Sequence, residues 1–312
     1  MPSRILYVGQ TCSITTASGY LRYLPVQSAS CESTMPVEDV LSFGQLGSLG
    51  RYQTSVTTCK SSIKSYLPMP SGGGGTFGGG ADITGAGSPD TNVIDATLLS
   101  TLTGDALAGN VAVVTVTPNG FTLSGILASF SLDISNGGFA MADFGFDGIG
   151  QPYYQTQPVG NSYTTSASMP SSFTPVISSH VSGIYQVGGG QSITGNTASS
   201  LKFSLDLPSD QLSSLGGNIT GDQTAVAPYL LKVAKPPFKA TISVEGTSIA
   251  IPQGTGAAGN IYVIGCLGIK LPSAICTSRS YNQAIGNVGA SYNYTIEDTN
   301  VIFSDVANSY TY

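Results

Sequence analysis

The residues that could carry chemistry are few, and their spacing does not favour it. His180 is the only histidine in the 312-residue chain, and a Ser/His/Asp site needs such a base held by an orienting acid beside a nucleophile. No partner stands at a favourable spacing, so His180 reads as structural. Cys266 and Cys276 lack the CxxC or histidine spacing of a zinc site. The glycine clusters at 72–75, 78–80 and 188–190 lack the GK[ST] ending of a phosphate loop and read as loops. In ADFGFDGIG, Asp143, Asp147 and Gly148 begin a calcium-loop pattern that has no third acid and no closing glutamate, and a β-turn fits better. Glu38 with Asp39, and Glu297 with Asp298, are adjacent and would point apart on a strand rather than form an acid/base pair. The expectation is a protein that is not an enzyme, with no catalytic residues, cofactor or metal.

The elements that hold these residues are mostly strands. A strand-like run, Gln27 to Thr34, leads into MPVEDVLSFG (Met35 to Gly44), and a second run, Ser200 to Asp206, leads into LPSDQLSSLG (Leu207 to Gly216), at a constant offset of 172 residues. That offset is too long for a short-period solenoid and suits two related β modules in tandem. Residues 1–150 form the first, 151–175 a Pro/Gly/Ser/Thr/Tyr-rich connection, and 176–312 the second.

SRILYVGQ reads as a short first strand, and Arg51 to Leu67 as one long strand with Val56, Ile63 and Leu67 inward and a bulge implied by their odd spacing. The run 71–80, SGGGGTFGGG, reads as a flexible loop. A helix is expected over about 92–107, opened by Ser88, Pro89 and Asp90, with Ile94, Leu98 and Leu102 on one face and Gly104 and Gly109 near its end. Hairpins follow at 111–127, around Pro118-Asn119-Gly120, and at 130–146, around Asn136-Gly137-Gly138. Further strands are expected near 180–187, 200–207, 229–234, 238–245, 260–269 and 290–303, the last broken by a turn at Glu297 to Asn300. The fold class is therefore mainly β, a barrel or sandwich with a flanking helix.

Hydrophobic residues make up 41% of the chain, enough for real cores, while charged residues make up only 9%, against about 25% in ordinary soluble domains. Strand edges without charge are poorly protected against association, which points to contacts with other subunits. The net charge is −6 with scattered basic residues, which excludes an adhesive nucleic-acid patch but suits a surface that DNA must slide past. Five cysteines are an odd, sparse set, more like buried thiols than a disulfide framework, although Cys31 and Cys59 could face each other across strands. Neither a charged and apolar leader nor an apolar run of membrane-spanning length is readable, so synthesis and assembly in a cytoplasm, with no membrane partner, are expected.

The strand, then PVEDVLSFGQLGSLGRYQ, then a long strand in Ser/Thr-rich surroundings resembles the major tail tube proteins of tailed bacteriophages over roughly the first 70 residues; SRILYVGQ resembles the strand with which such virion proteins open. The resemblance implies β-barrel or sandwich modules that self-assemble into stacked rings, three or six chains per ring, whose inner sheet lines a channel for DNA. It implies a place in the virion tail, assembly in a host cytoplasm, and tape-measure, baseplate, terminator and sheath proteins as partners. No motif of the family fixes the acids that face the channel; the strand pattern makes Glu32, Asp133 and Asp206 the candidates. The turns holding Pro36, Glu38, Asp39, Phe43 and Gly44, and Pro208, Asp210, Leu215 and Gly216, are the candidate contacts between subunits. Other virion roles, such as capsid decoration or neck, and a carbohydrate-binding or adhesive sandwich are the alternatives.

Overall fold

Apolar and polar residues alternate through most of the chain, and in the computed structural model those runs become strands. The structure describes residues 11–41, 48–53, 57–67, 94–117, 120–154, 175, 181–187, 192–193, 198–213, 230–246, 258–263, 267–282 and 291–304. The first half supplies β1 (Thr11–Thr15), β2 (Leu21–Thr34), β3 (Val37–Leu41), β4 (Ser48–Gln53), β5 (Thr58–Tyr66), α1 (Ala96–Ala108), β6 (Ala112–Thr117), β7 (Phe121–Ser135), β8 (Met141–Ile149) and β9 (Tyr153–Tyr154). The second half supplies β10 (Val181–Val187), β11 (Ser192–Ile193), β12 (Ala198–Asp206), β13 (Ser209–Ser213), β14 (Leu230–Ala234) and β15 (Lys239–Gly246). It ends with β16 (Ala258–Val263), β17 (Leu267–Leu271), β18 (Ile275–Asn282), β19 (Ser291–Asp298) and β20 (Ile302–Ser304).

Six strands, β7-β6-β1-β2-β5-β8, close into an antiparallel barrel when β8 pairs back onto β7. Cys12, Ile14, Leu24, Ile63, Val114, Val116, Phe144 and Phe146 are among its buried side chains. Closure depends on two glycines that face each other, Gly125 of β7 and Gly148 of β8. A Cβ on Gly148 would come within 2.6 Å of Cys59 Sγ and the Ser124 carbonyl, and one on Gly125 within 2.7 Å of the Asp147 carbonyl.

β7 is 15 residues long, about 50 Å at a rise of 3.4 Å per residue, and it outlasts β6. Beyond a bulge at Ala128, the edge that held β6 takes β12 instead, and β15, β19 and β18 continue the sheet. One sheet therefore takes strands from both halves of the chain. A second sheet, β11-β10-β16-β17-β20, packs on the inner face of this extension, where Phe303 of β20 meets Phe203 of β12 edge-on at 6.4 Å. Phe203 lies 6.0 Å from Phe130, Phe130 lies 4.9 Å from Phe144, and Phe144 stacks on Phe146 at 6.3 Å. This ladder of rings carries the core from barrel to sandwich.

The helix begins four residues later than predicted. Asp95 is its N-cap, its Oδ1 accepting the Leu98 N–H at 2.8 Å, and Gly109 ends it in the left-handed conformation at φ 74. The predicted opening at Ser88 to Asp90 lies outside the described residues. Leu98, Leu99, Leu102 and Ala106 form its buried face, against β7, β14 and β20. Asp95 also pairs with the buried Arg22 of β2 and accepts the Tyr20 hydroxyl at 2.6 Å, while the Arg22 guanidinium lies 3.9 Å over the Tyr20 ring. At the far end of α1, Asp105 accepts the Ala17 N–H at 3.1 Å. The helix is tied at both ends to the β1–β2 turn.

Several predicted elements change in the fold. The expected strands at 121–127 and 130–134 are one strand, β7, because the bulge preserves pairing while the alternation switches phase. Arg51 to Leu67 is two strands, β4 and β5, and Val56 between them lies outside the described residues. The expected strand at 260–269 is a hairpin, β16–β17, and 290–303 splits into β19 and β20 at the expected turn. β18 was not foreseen. The expected first strand before Thr11, the glycine-rich run 71–80, His180 and Cys266 lie outside the described residues.

Gly148→Ala is expected to lower stability by about 1–3 kcal/mol, because its methyl meets backbone as well as side chain. Gly104→Ala, in α1 with nothing within 4 Å of the new methyl, is expected to raise it by about 0.8 kcal/mol. Urea midpoints check both, and a neutral Gly148→Ala would remove the closure argument.

A second expectation concerns Asp95. Burial pushes its carboxyl above the ordinary range, and the Leu98 N–H and Arg22 pull it partly back. A carboxyl raised in the folded state stabilises most below its ordinary value, and that contribution fades as pH rises through the raised one. Arg22→Met removes the cation, so it is expected to cost about 3 kcal/mol at neutral pH and less in acid, where Asp95 is protonated. Adding Asp95→Asn, which keeps a capping side chain, recovers most of the loss. A cost independent of pH would show that the Asp95 charge is not what Arg22 holds.

Candidate functional site

Alternation fixes two faces for the long sheet, and its outward face is the candidate site. Over the far half of β2 and through β5, β8, the far half of β7, β12, β15 and β19, the buried residues point to the core. Their neighbours, mostly serine, threonine and paired charges, point outward. Four lysines lie on this face, and each stands directly across from at least one carboxylate. Lys60 of β5 lies between Glu32 of β2 and Asp147 of β8, and Lys64 of β5 faces Asp143 of β8. Lys202 of β12 faces Asp133 of β7, and Lys239 of β15 faces Asp206 of β12. Lys239 Nζ is also 3.0 Å from Glu297 of β19.

Hydroxyls extend these pairs. Ser62 donates to Asp143 at 3.0 Å, Ser209 donates to Asp147 at 2.9 Å, and Ser243 lies 3.2 Å from the Thr295 hydroxyl. With Glu245 of β15, opposite Asn293 of β19, the face carries seven carboxylates against four lysines. It is polar, internally paired and acidic in sum.

The three predicted acids land on this one face. Glu32, Asp133 and Asp206 are all exposed and outward, although β2 is separated from β7 by β5 and β8. The lysines that answer them are not among the residues expected from sequence. Their signal was present: Lys60 and Lys64 in KSSIK, and Asp143 and Asp147 in DFGFD, each repeat at four residues, which puts each pair on one face of a strand.

The predicted contact turns are strands. Val37–Leu41 pairs with Ser48–Gln53, and Ser209–Ser213 with Leu230–Ala234, as two-stranded ribbons. Pro36 and Pro208 each precede a ribbon, Glu38 and Asp39 lie on β3, and Asp210 lies on β13. Arg51 holds Asp39 through two nitrogens at 2.8 and 3.3 Å, and Lys235 holds Asp210 at 2.9 Å. Phe43, Gly44, Leu215 and Gly216 lie outside the described residues. In both halves, then, a strand continues past proline into a ribbon that carries an acid–cation pair.

Other places offer less. A cleft of about 460 Å³ sits at the end of the long sheet between Phe238, Ile275 and Glu297. Its Asp298 carboxylate is already committed to the Ser273 and Asn300 N–H groups, at 2.7 and 3.0 Å. Cys31 lies opposite Ser61, and Cys59 opposite Ser33, so the two cysteines are diagonal rather than facing. Burial, with Cys59 nearby, pushes the Cys31 thiol up to about 11, and burial raises that of Cys12 further, so neither is a poised nucleophile. Among the described residues no group of His, Cys, Asp and Glu side chains is arranged to hold a metal, and no helix is long and apolar enough to cross a membrane. No protein-family model matches the chain, and no curated protein compared with it matches.

Proposed function

We propose that this chain is a structural virion protein of a phage tail, self-assembling into stacked rings whose channel is lined by the polar face of the long sheet and lets duplex DNA pass without sticking. The observation that carries this reading is the placement of the lysines. Each of the four lies directly across a strand pair from a carboxylate, so a phosphate approaching the face meets no isolated cation. Binding to a phosphate backbone draws its free energy from cations that replace counterions. A face whose cations are already answered, with carboxylates in excess, offers little of that and repels a polyanion at longer range. The mainly β fold, the matching ribbons that follow Pro36 and Pro208, and a chain with so few charged residues fit the same reading. Partners follow from it: copies of this chain in rings of three or six, and the other proteins of a tail.

Negative-stain electron microscopy of the purified chain is expected to show hollow rings or tubes, with a channel of about 20 Å or more to admit a duplex. Single small particles at every concentration would sink the reading. A second expectation concerns the lining. Asp133→Lys with Asp206→Lys should leave rings intact and make them retain DNA, with retention falling steeply as salt rises. Rings of this variant that ignore DNA at low salt would place the polar face away from the channel.

A further inference from the structure

The rest of the barrel wall is the opposite of the polar face. Where β2 begins, and through β1, β6, the start of β7 and β9, the outward side chains pair in two rows. One row runs Tyr23, Ser13, Thr115, Thr122, Tyr153, and the next runs Leu21, Thr15, Val113, Ser124. No charged side chain interrupts either row. Arg22, the one charged residue on β1, β6, β9 and the first stretches of β2 and β7, turns inward to Asp95. Large hydrophobics left in solvent stand here as well: Val111, just before Ala112 of β6, with Val113 and Tyr153. Exposed apolar groups that collect on one polar-rimmed patch mark a contact surface, whereas scattered ones need no explanation.

We infer that this uncharged barrel wall is a surface through which one copy of the chain meets a second. The chemistry selects that partner. A charged protein surface pressed against this wall would lose water and gain no counter-charge, a cost that grows with each buried ion. The matching surface must therefore be apolar and hydroxylic, as this wall itself is. Serine and threonine hydroxyls both donate and accept, so rows of them can satisfy another copy's rows. Lysine and carboxylate rows cannot do this with their like. About ten side chains are available, roughly half the number on one side of a standard interface. A single contact of this size is weak, and it becomes effective where several copies close a ring. The inference takes its partner from the self-assembly reading and adds the surface that joins the copies.

Sedimentation velocity over a range of concentrations tests it, on the intact chain and on Val113→Asp, Thr115→Lys and the helix-surface variant Ser100→Lys, with circular dichroism to confirm folding. Thr115→Lys accompanies Val113→Asp because a hydroxyl on the outer wall can be lengthened without entering the core. The expected result is that the intact chain and Ser100→Lys assemble. Val113→Asp and Thr115→Lys, still folded, should need at least ten times the concentration. If Thr115→Lys folds and assembles like the intact chain, the wall is not the contact, and self-assembly stands without it. An intact chain that remains single at every concentration overturns the wall contact and the assembly reading together.

Discussion

A strand has only two edges, and β7 uses both to hold the fold together. One edge takes β6 and, after the bulge at Ala128, β12; the other takes β9 and then β8. The bulge is the device that permits the exchange. Before it, Phe121, Leu123 and Gly125 are buried; after it, Phe130, Leu132 and Ile134 are. The inserted residue shifts the phase of the strand, so the same chain lines the barrel and then the sandwich. β2 does the same at Gln27, passing from inward Arg22 and Leu24 to outward Ser28, Ser30 and Glu32. Without these two changes of phase, Ser129 and Ser131 would take the core places of Phe130 and Leu132, and Ser28 and Ser30 those of Ala29 and Cys31.

That constraint explains the position of the aromatic ladder and of the helix. Phe130 stands just past the bulge, where it touches Phe144 of the barrel and Phe203 of the extension. Packing and hydrogen bonding thus cross between the halves at the same point. Such coupling makes it costly to open one half alone, because the extension would lose both its edge strand and its ring contacts. α1 lies against β7, β14 and β20, so the buried Arg22–Asp95 pair fixes a barrel strand to an element that also contacts the second half. The pair is costly to bury and costly to break, which favours its reading as a positioning contact rather than a source of net stability.

Local features of the fold were legible in the sequence and long-range ones were not. FSLDI and FSLDL alternate strictly, and they pair with each other as β7 and β12 in register, Phe130 with Leu205 and Leu132 with Phe203. Reading them as recurring strands was sound, yet nothing in either run says that they touch. The start of the helix was displaced because Asp95, not the earlier Ser88-Pro89-Asp90, accepts the Leu98 N–H, and both stretches have capping residue types. β18 escaped notice because ICTSRSYN has no apolar alternation, as suits a strand at the end of the sheet. Three of the seven acids of the polar face, Glu32, Asp133 and Asp206, were picked out from strand pattern alone. Their lysine partners were not, since which lysine answers which acid is decided by strand order.

The distribution of charge follows from this architecture rather than from composition alone. Side chains directly opposite in an antiparallel pair stand about 4.5–5.5 Å apart at Cβ, inside the screening length of about 8 Å at physiological salt. Each lysine field on the polar face is therefore cancelled close to the surface, and only the surplus of carboxylates reaches further. Exposed pairs of this kind add little stability, and under the proposed function their regular placement acts on an approaching polyanion. The uncharged wall has the complementary property: it creates no field to hold a partner at distance and leaves no charge to be stripped of water on contact. One barrel thus presents a charged, internally paired side and an uncharged side, the two that the proposals assign to a polyanion and to a second copy, and the bulges in β2 and β7 mark where one gives way to the other.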